Sequence, residues 1–346
     1  MFDERDHAPQ ERLPENRPTL MNPVDSQATG SADNTDVEIA YVGGWGRSGS
    51  TLLTRMLAEV DDFVGVGELR DVFLRGIVQD RVCGCGSRFS ECEFWQSVGQ
   101  DAYGGWDKLS VPDIEELRKR TDKPWHVPAL VKPGLRKRTD EAVAEYGEMF
   151  LALYRSIRKV SGARVIVDAS KIASFGAILK RTEGLSPRYV HLVRDPRGTL
   201  NSWTKQVRMV DDLDTTRYMP RYNLTSGAAQ YMVYNLEMHA VASKSPRLLM
   251  KYEDLVVSPE AKMREALAVI GAPDDVDLSR FIGPEGVKLG MSHSIAGNPM
   301  RHESGWVALR PDEAWREKMP KGQQRVITAL TLPLMKKYGY DIGASW

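Results

Sequence analysis

The segment YVGGWGRSGSTLLTRML, residues 41–57, decides the fold class of this 346-residue chain. It joins the apolar run VEIAYVGG to a stretch whose leucines and methionine recur at helical spacing, so it predicts a strand, a glycine-rich turn and a helix. Glycines in such a turn let backbone amides point inward, and the start of the following helix adds its dipole. The segment therefore predicts an anion-binding loop at the end of a buried strand.

This loop departs at one position from the common phosphate-binding pattern G-x-x-x-x-G-K-[ST]. Gly44 and Gly49 have the required separation, but Ser50 stands where the lysine belongs, and Thr51 follows it. Arg47 lies inside the loop, and its planar guanidinium can bind a terminal oxyanion group through two parallel hydrogen bonds. We expect a loop that binds a phosphate but does not support ATP chemistry.

Apolar runs and helical patterns alternate along the rest of the chain. ARVIVDASK, PRYVHLVRD and RLLMKYEDLVV each have the composition of a buried strand, and Asp195-Pro196 and Ser258-Pro259 have the residue types that begin helices. This alternation predicts an α/β fold with a central, mostly parallel sheet. Residues 1–36 are polar and rich in proline, so we expect a disordered tail before one domain over residues 37–346. Helical lid insertions are expected at about 76–162 and 204–247.

Composition limits the function classes. The formal net charge is zero and the pI is about 7.0, which does not favour nucleic acid as a partner. The chain has no apolar run long enough to span a membrane, and its first residues lack the apolar core of a signal peptide. We therefore expect a cytoplasmic protein without integral membrane association. The oligomeric state cannot be predicted from the sequence.

Three segments together resemble one known family. GRSGSTLL after a strand resembles the 5′-phosphosulfate loop of sulfotransferases that use 3′-phosphoadenosine-5′-phosphosulfate (PAPS), VHLVRDPRGTLNSW resembles their 3′-phosphate motif, and KYEDLVVSP resembles a third family landmark. The resemblance implies a three-layer P-loop-like fold and PAPS as the co-substrate, with no metal required. It implies the following nucleotide-binding residues: Arg47, Ser48, Gly49, Ser50, Thr51, Leu52, Arg194, Ser202, Tyr252, Asn298 and Arg301.

The resemblance also implies three catalytic residues. The layout is similar to the tyrosylprotein branch, in which a glutamate at the position of Glu68 acts as the base and a lysine at the position of Lys171 steadies the transferring sulfonyl group. Arg47 is the third catalytic residue, because its position in the loop is expected to bring it against the bridging or terminal oxygens of the phosphosulfate. The cytosolic branch uses a histidine base instead, and here His293 is the alternative to Glu68. The implied reaction sulfonates a hydroxyl of a small molecule, lipid, sugar or phenol.

Three cysteines form the pattern C-x-C-x6-C at positions 83, 85 and 92. Three thiolates with the nearby His126 could bind zinc, but C-x-C is not the usual ligand spacing, and the chain has no second cysteine pair. We expect a small structural loop and no metal site.

Two other functions remain open. A P-loop kinase or NTPase would need a carboxylate for magnesium, which Asp168 in VIVDAS could supply. A non-catalytic nucleotide-binding protein would need Arg47, Arg194 and Ser202 but not Glu68 or Lys171. The segment RMVDDLDTTRYMPRY, residues 208–222, is the best candidate for acceptor contact, although no motif supports it.

Overall fold

The computed structural model describes residues 36–132, 137–206, 218 and 220–343. Its strands are β1 (Val37–Gly43), β2 (Phe63–Gly67), β3 (Val165–Lys171), β4 (Leu185–Val193), β5 (Arg247–Lys251), β6 (Ile282–Gly283), β7 (Gly286–Leu289) and β8 (Gly305–Val307). Its helices are α1 (Ser50–Leu57), α2 (Glu93–Tyr103), α3 (Val111–Thr121), α4 (Val127–Val131), α5 (Lys137–Ser161), α6 (Ala173–Arg181), α7 (Pro196–Thr204), α8 (Leu224–Ala242), α9 (Tyr252–Val257), α10 (Pro259–Ile270), α11 (Trp315–Lys318) and α12 (Lys321–Tyr338).

The central sheet has the strand order β2-β3-β1-β4-β5, and every neighbouring pair is parallel. Successive side chains of a strand point to opposite faces, and in β1 both faces are covered. Ile39 and Tyr41 join the core on the side of α5 and α6, whereas Ala40 and Val42 join the core on the side of α1 and α10. A parallel sheet between two helical layers confirms the predicted α/β fold.

The long connection between β2 and β3 carries α2, α3, α4 and α5. Its aromatic residues pack with one face of the sheet, and Phe150 of α5 contacts Phe175 of α6 with ring centroids 4.6 Å apart. Within the connection, Phe89 stacks on Trp95 at 5.7 Å. The connection thus forms much of one helical layer, because its apolar residues share a single core with the sheet.

One predicted strand is shorter than expected. RLLMKYEDLVV changes conformation in the middle: β5 ends at Lys251, and α9 begins at Tyr252. Two acidic residues, Glu253 and Asp254, occupy the first turn of α9, where they favour a helix because its positive dipole end lies there. The change brings Tyr252 to the carboxyl end of the sheet.

Two predictions fall largely on residues that the structure does not describe. The expected disordered tail, residues 1–36, lies outside the described residues except for its last position, and so does most of the acceptor segment 208–222. In the described part of the chain, no helix is both long and apolar enough to cross a lipid bilayer.

Candidate functional site

Each strand of the central sheet contributes to one site at its carboxyl edge. From β2 to β5 the contributors are Glu68 after β2, Lys171 at the end of β3, the loop 44–49 after β1, Arg194 after β4 and Tyr252 after β5. All five line a cavity of about 510 Å³. Ligands of open α/β sheets bind at this edge, so the topology itself collects these side chains.

Glycine is required at both ends of the loop after β1. Gly44 has φ 130°, and a Cβ there would come within 2.4 Å of the Leu192 carbonyl oxygen. Gly49 has φ 92°, and a Cβ there would come within 2.4 Å of the Tyr252 ring. Gly49 also precedes the first turn of α1, whose leading N–H groups have no intrahelical acceptor by geometry. The loop therefore presents a helix start, with its dipole, to the cavity.

Two arginines form the positive end of the cavity. Arg47 Nε donates to Ser202 Oγ at 3.0 Å, and Arg194 Nη1 donates to the Arg47 carbonyl at 3.2 Å. Arg194 also lies over the Tyr252 ring at 4.7 Å. Burial, with the nearby charge of Arg194, lowers the pKa of Arg47. Two cations held together in this way favour an anionic ligand between them.

Asp312 closes this end of the site. Its Oδ2 accepts a hydrogen bond from Arg194 Nη2 at 2.9 Å. Burial opposes the charged carboxylate, but this hydrogen bond and the charge of Arg194 lower the pKa of Asp312. An anion that binds Arg194 would therefore compete with Asp312 for the guanidinium.

Glu68 and Lys171 form the other end of the cavity. Lys171 Nζ donates to Glu68 Oε1, and both side chains are about one sixth exposed, at 16% and 17%. Lys171 has φ 67°, and its carbonyl accepts from the Gly44 amide at 3.2 Å, which ties the end of β3 to the loop after β1. Arg75 Nη2 lies 4.0 Å from Glu68 Oε2. A carboxylate and a cation thus meet where the two strands end side by side.

The remaining nucleotide-binding candidates differ in position. Ser50, Thr51, Leu52 and Asn298 line the cavity, and the Asn298 amide donates to Thr51 Oγ1 at 3.3 Å. Two others, Ser48 and Arg301, do not line it. Ser48 Oγ donates to the Trp45 carbonyl at 2.9 Å. Buried Arg301 donates to the Val82 and Gly297 carbonyls at 2.9 and 3.3 Å. These two side chains organise loops.

Sequence reasoning did not single out several lining residues. Trp203 lies next to the predicted Ser202, and its Nε1 donates to the Gly46 carbonyl at 3.2 Å. Asp312 and Arg75 line the site too, but no motif contains them. Trp203 could have been found from its position beside a motif serine. The other two become visible only when distant segments pack together.

A second cavity, of about 230 Å³, adjoins the first. Glu68, Lys171 and Trp203 line both, so the Glu68–Lys171 pair stands at their boundary. The second cavity is also lined by Tyr222 and Tyr234. Tyr222 belongs to the segment predicted to contact the acceptor.

Two histidines do not line the main cavity. His191 is buried, Nε2 lies 2.8 Å from Asn235 Oδ1, and burial lowers its pKa to about 3. His293 directs Nδ1 toward Cys83 and Cys92, at 3.8 and 3.4 Å, and does not line the main cavity. Neither position suits a base for a substrate in that cavity.

Asp168 is fully buried. Its Oδ1 accepts from the Ser170 amide at 2.7 Å and from the Ser170 hydroxyl, and its Oδ2 accepts from the Tyr154 hydroxyl. Burial raises its pKa to about 6, although these hydrogen bonds oppose the shift. Both carboxylate oxygens are thus engaged within the core.

The sequence of the chain matches a family model described as "Sulfotransferase family" over residues 40–276. The chain belongs to the sulfotransferase family. The match includes the phosphate loop, Glu68, Lys171, Arg194 and Tyr252, so the cavity at the sheet edge lies in the shared region. Membership makes sulfonate transfer the general chemistry of the chain.

Solved structures are similar to this sulfotransferase at low sequence identity. The sulfotransferase domain from the Synechococcus PCC 7002 olefin synthase has 18% identity and a TM-score of 0.50, over 91% of this chain and 99% of that domain, which supports the fold. The sulfotransferase domain from the curacin biosynthetic pathway has 15% identity and a TM-score of 0.48, over 89% and 99%. Sulfotransferase STF9 from Mycobacterium avium has 12% identity and a TM-score of 0.42, over 88% and 77%. Among curated proteins, no match is found.

Proposed function

We propose that this sulfotransferase transfers a sulfonate group from PAPS to a hydroxyl of a small molecule, lipid, sugar or phenol. The observation that carries the proposal is the polarity of the cavity. One end holds the Arg47–Arg194 pair, and the other end holds the Glu68–Lys171 pair. A nucleotide with two anionic groups fits this arrangement, if both groups bind at the arginine end and the group to be transferred lies toward Glu68 and Lys171.

The positive end suits the two phosphate groups of such a nucleotide. The helix start after Gly49 and the guanidinium of Arg47 suit the 5′ end, since both favour oxyanions. Arg194 and Ser202 suit a 3′-phosphate, because a second dianion needs its own guanidinium and a hydroxyl donor. Tyr252 offers a ring face beside them.

Transfer of SO3 from PAPS to a hydroxyl forms the acceptor O–S bond, breaks the S–O bond to the phosphate, and releases the hydroxyl proton. Glu68 is the proposed acceptor of that proton. Its carboxylate faces both cavities, so it can reach a hydroxyl that enters from the second one. A base must come within hydrogen-bond distance of the proton that it removes, and this position allows that contact.

Lys171 and Arg47 stabilise the charge that develops during transfer. Lys171 Nζ bonds to Glu68 in the structure, and a proton arriving on Glu68 would weaken that bond and leave Lys171 to the sulfonyl oxygens. Arg47 lies at the loop that holds the leaving phosphate. Preorganised cations of this kind lower the barrier by offsetting charge where it appears, so the proposed transfer needs no metal.

The second cavity is the proposed acceptor side. Trp45, Trp203, Tyr222 and Tyr234 line it, and aromatic side chains supply apolar contact area with few polar requirements. Arg70, Asp71, Arg75 and Gln230 line it too, so the cavity suits an alcohol or phenol that has both an apolar part and polar groups. Nothing in the charge of the chain favours nucleic acid.

Two rival functions are less well supported. Kinase chemistry would need Asp168 to hold magnesium, yet both of its carboxylate oxygens are already bonded to Tyr154 and Ser170 in the core. Pure nucleotide binding would leave the Glu68–Lys171 pair without a role at the boundary of the two cavities.

The first test is calorimetric titration with adenosine 3′,5′-bisphosphate, set beside ATP with magnesium. We expect micromolar binding of the bisphosphate, weak binding of ATP and no effect of the metal. Turnover is then followed with sulfur-labelled PAPS and a panel of alcohols and phenols. Tighter binding of ATP with magnesium, or bisphosphate binding without transfer to any acceptor class, would contradict the proposal.

A further inference from the structure

The three cysteines and one distant histidine form a compact group of metal-ligand atoms. The Sγ atoms of Cys83, Cys85 and Cys92 and a ring nitrogen of His293 all lie within 4.8 Å of one another. Cys83 and Cys92 are buried, and the other two are half-buried. Within the described residues, this is the one group of three or more such side chains close enough to share an ion.

Four of the six separations in this group match the edges of a tetrahedron around zinc, and the other two are no longer than 4.8 Å. Zinc bonds of about 2.3 Å to sulfur and about 2.05 Å to nitrogen give edges of about 3.8 Å between sulfurs and about 3.6 Å between sulfur and nitrogen. Cys92 Sγ lies 3.8 Å from Cys83 Sγ and 3.7 Å from Cys85 Sγ. The Nδ1 of His293 lies 3.4 Å from Cys92 Sγ and 3.8 Å from Cys83 Sγ.

The backbone of the cysteine segment is folded to point these thiols at one centre. The Cys83 amide donates to the Ser87 carbonyl at 2.8 Å, and the Gly86 amide donates to the Cys83 carbonyl at 2.9 Å, which closes a tight turn around C-x-C. Gly86 has φ 94°, so glycine suits this turn. The turn explains how a spacing of one residue can still supply two converging ligands.

His293 is held in place both at its ring and at its backbone. Its ring stacks on Phe94 with centroids 4.5 Å apart and planes 13° apart. Its carbonyl accepts from Trp95 Nε1 at 3.0 Å. Both partners lie in the first turn of α2, two and three residues after Cys92, so the same helix start positions a thiol and the ring that faces it.

From this geometry we propose a structural zinc site with Cys83, Cys85, Cys92 and His293 as its four ligands. Thiolate and imidazole donors in a tetrahedral arrangement favour Zn²⁺ over hard cations, which prefer oxygen. Four protein ligands fill the coordination sphere, so the site is structural and offers no open position for a substrate. The proposal differs from the sequence prediction of no metal site, and it has His293 in the place of His126.

The site joins the helical connection to the loop that borders the main cavity. The Gly84 amide donates to the Ser294 carbonyl at 2.9 Å, and a Cβ on Gly84 would come within 2.7 Å of the Ser292 carbonyl oxygen. Further along, the Ile295 amide donates to the Val66 carbonyl at 3.3 Å, just before Glu68. Zinc would therefore fix the segment between His293 and Asn298 against both the cysteine turn and the end of β2.

The test begins with the full chain, purified without chelators and without a histidine tag. We expect elemental mass spectrometry to find one zinc ion per chain. Replacement by Co²⁺ should give the thiolate charge-transfer absorption and intense visible bands of a tetrahedral site. A folded chain that carries no zinc and does not bind Co²⁺ in this way overturns the proposal. Iron bound in place of zinc, or a disulfide between two of the cysteines, also overturns it.

Variants identify the ligands. Cys92→Ser and His293→Ala should lose the stoichiometric zinc, whereas His126→Ala should keep it, because His126 is not in the group. If the ligand variants do not fold, chelation of the wild-type chain replaces them, followed by hydrogen exchange. Removal of zinc should speed exchange in residues 293–298 and leave β1 and β4 unchanged. Ligand variants that keep full zinc would refute the assignment of the ligands. Hydrogen exchange that is unaltered after removal of zinc would refute the role of the site in fixing residues 293–298.

Discussion

Lys171 at the end of β3 donates a hydrogen bond to Glu68 at the end of β2, so the two strands deliver a cation and a carboxylate to the same point. The pair is only partly exposed and stands where the two cavities meet. Neither residue is close to the other in sequence. Their contact depends on the parallel pairing of β2 with β3, which aligns the carboxyl ends of the strands.

Glu68→Gln is expected to abolish most of the transfer activity while leaving nucleotide binding intact. Glutamine keeps the size and polarity of the side chain but cannot take a proton, and loss of a general base costs about 100-fold or more in rate. The measurement is the transfer rate with labelled PAPS, beside the affinity for the bisphosphate. Glu116→Gln on the exposed face of α3 is the matched control and should keep full activity. Full activity of Glu68→Gln would exclude Glu68 as the base.

Arg194→Ala is expected to weaken binding of adenosine 3′,5′-bisphosphate by about tenfold to a hundredfold, because a hydrogen bond to a charged group is worth about 1.5–3 kcal/mol. Adenosine 5′-monophosphate, which lacks the 3′-phosphate, serves as the control ligand and should lose little affinity. Calorimetry of both ligands on both proteins gives the comparison. An equal loss for the two ligands would mean that Arg194 does not bind the 3′-phosphate.

Gly49→Ala is expected to destabilise the fold more than an alanine at another left-handed position that is open. Gly162 has φ 69° and meets no described atom within 4 Å, so Gly162→Ala should cost only the backbone strain of about 1–2 kcal/mol. At Gly49 the added Cβ also collides with Tyr252, which adds about 1–3 kcal/mol. Urea unfolding measures both variants. In a Tyr252→Ala background the excess cost of Gly49→Ala should disappear, and an unchanged excess would mean that the collision with Tyr252 is not its cause.

Tyr154→Phe is expected to lower the stability more at high pH than at low pH. The pKa of buried Asp168 is raised from 3.8 to about 6, so its contribution to stability is greatest below 3.8 and falls as the pH rises through about 6. The Tyr154 hydroxyl bonds the carboxylate and opposes that shift. Removal of this hydroxyl should therefore lower the free energy of unfolding by about 1.5–3 kcal/mol above pH 6 and by about 1 kcal/mol well below it.

Tyr146→Phe provides the control for this prediction. The Tyr146 hydroxyl is also buried, but among the described residues it has no hydrogen-bond partner. Removal of this hydroxyl should change the free energy of unfolding little, and by the same amount above and below pH 6. Urea unfolding at two pH values on either side of about 6 tests both variants. A cost for Tyr154→Phe that does not change with pH would show that Asp168 does not titrate in this range.

Local patterns predicted the fold and much of the site. A strand followed by a glycine loop fixes the position of Arg47 relative to α1, and the ends of parallel strands meet at one edge, so the structure brings Glu68, Lys171 and Arg194 into one cavity as the motifs suggested. The prediction of one strand over the whole of RLLMKYEDLVV was wrong after Lys251, because the short apolar groups on either side of KYED fit a buried strand and a buried helix turn equally well.

Contacts between distant segments could not be predicted in this way. His293 reaches Cys92 across about 200 positions of sequence, and no spacing rule relates them. The pairing of Asp312 with Arg194 could not be predicted for the same reason, since Asp312 comes from the distant loop after β8. Such pairs depend on how the chain packs after the sheet has formed.

The order of residues along the sheet edge has a consequence for how new activities can arise in this protein. The proposed catalytic residues Glu68 and Lys171 lie at the ends of β2 and β3, and the proposed nucleotide residues Arg194 and Tyr252 lie after β4 and β5, with the loop 44–49 between them. The acceptor cavity is not confined to one side, because Trp203 lines both cavities and follows Ser202 directly. A substitution at Trp203 should therefore alter acceptor choice and donor binding together, whereas Tyr234, which lines the second cavity only, could be varied on a constant donor site.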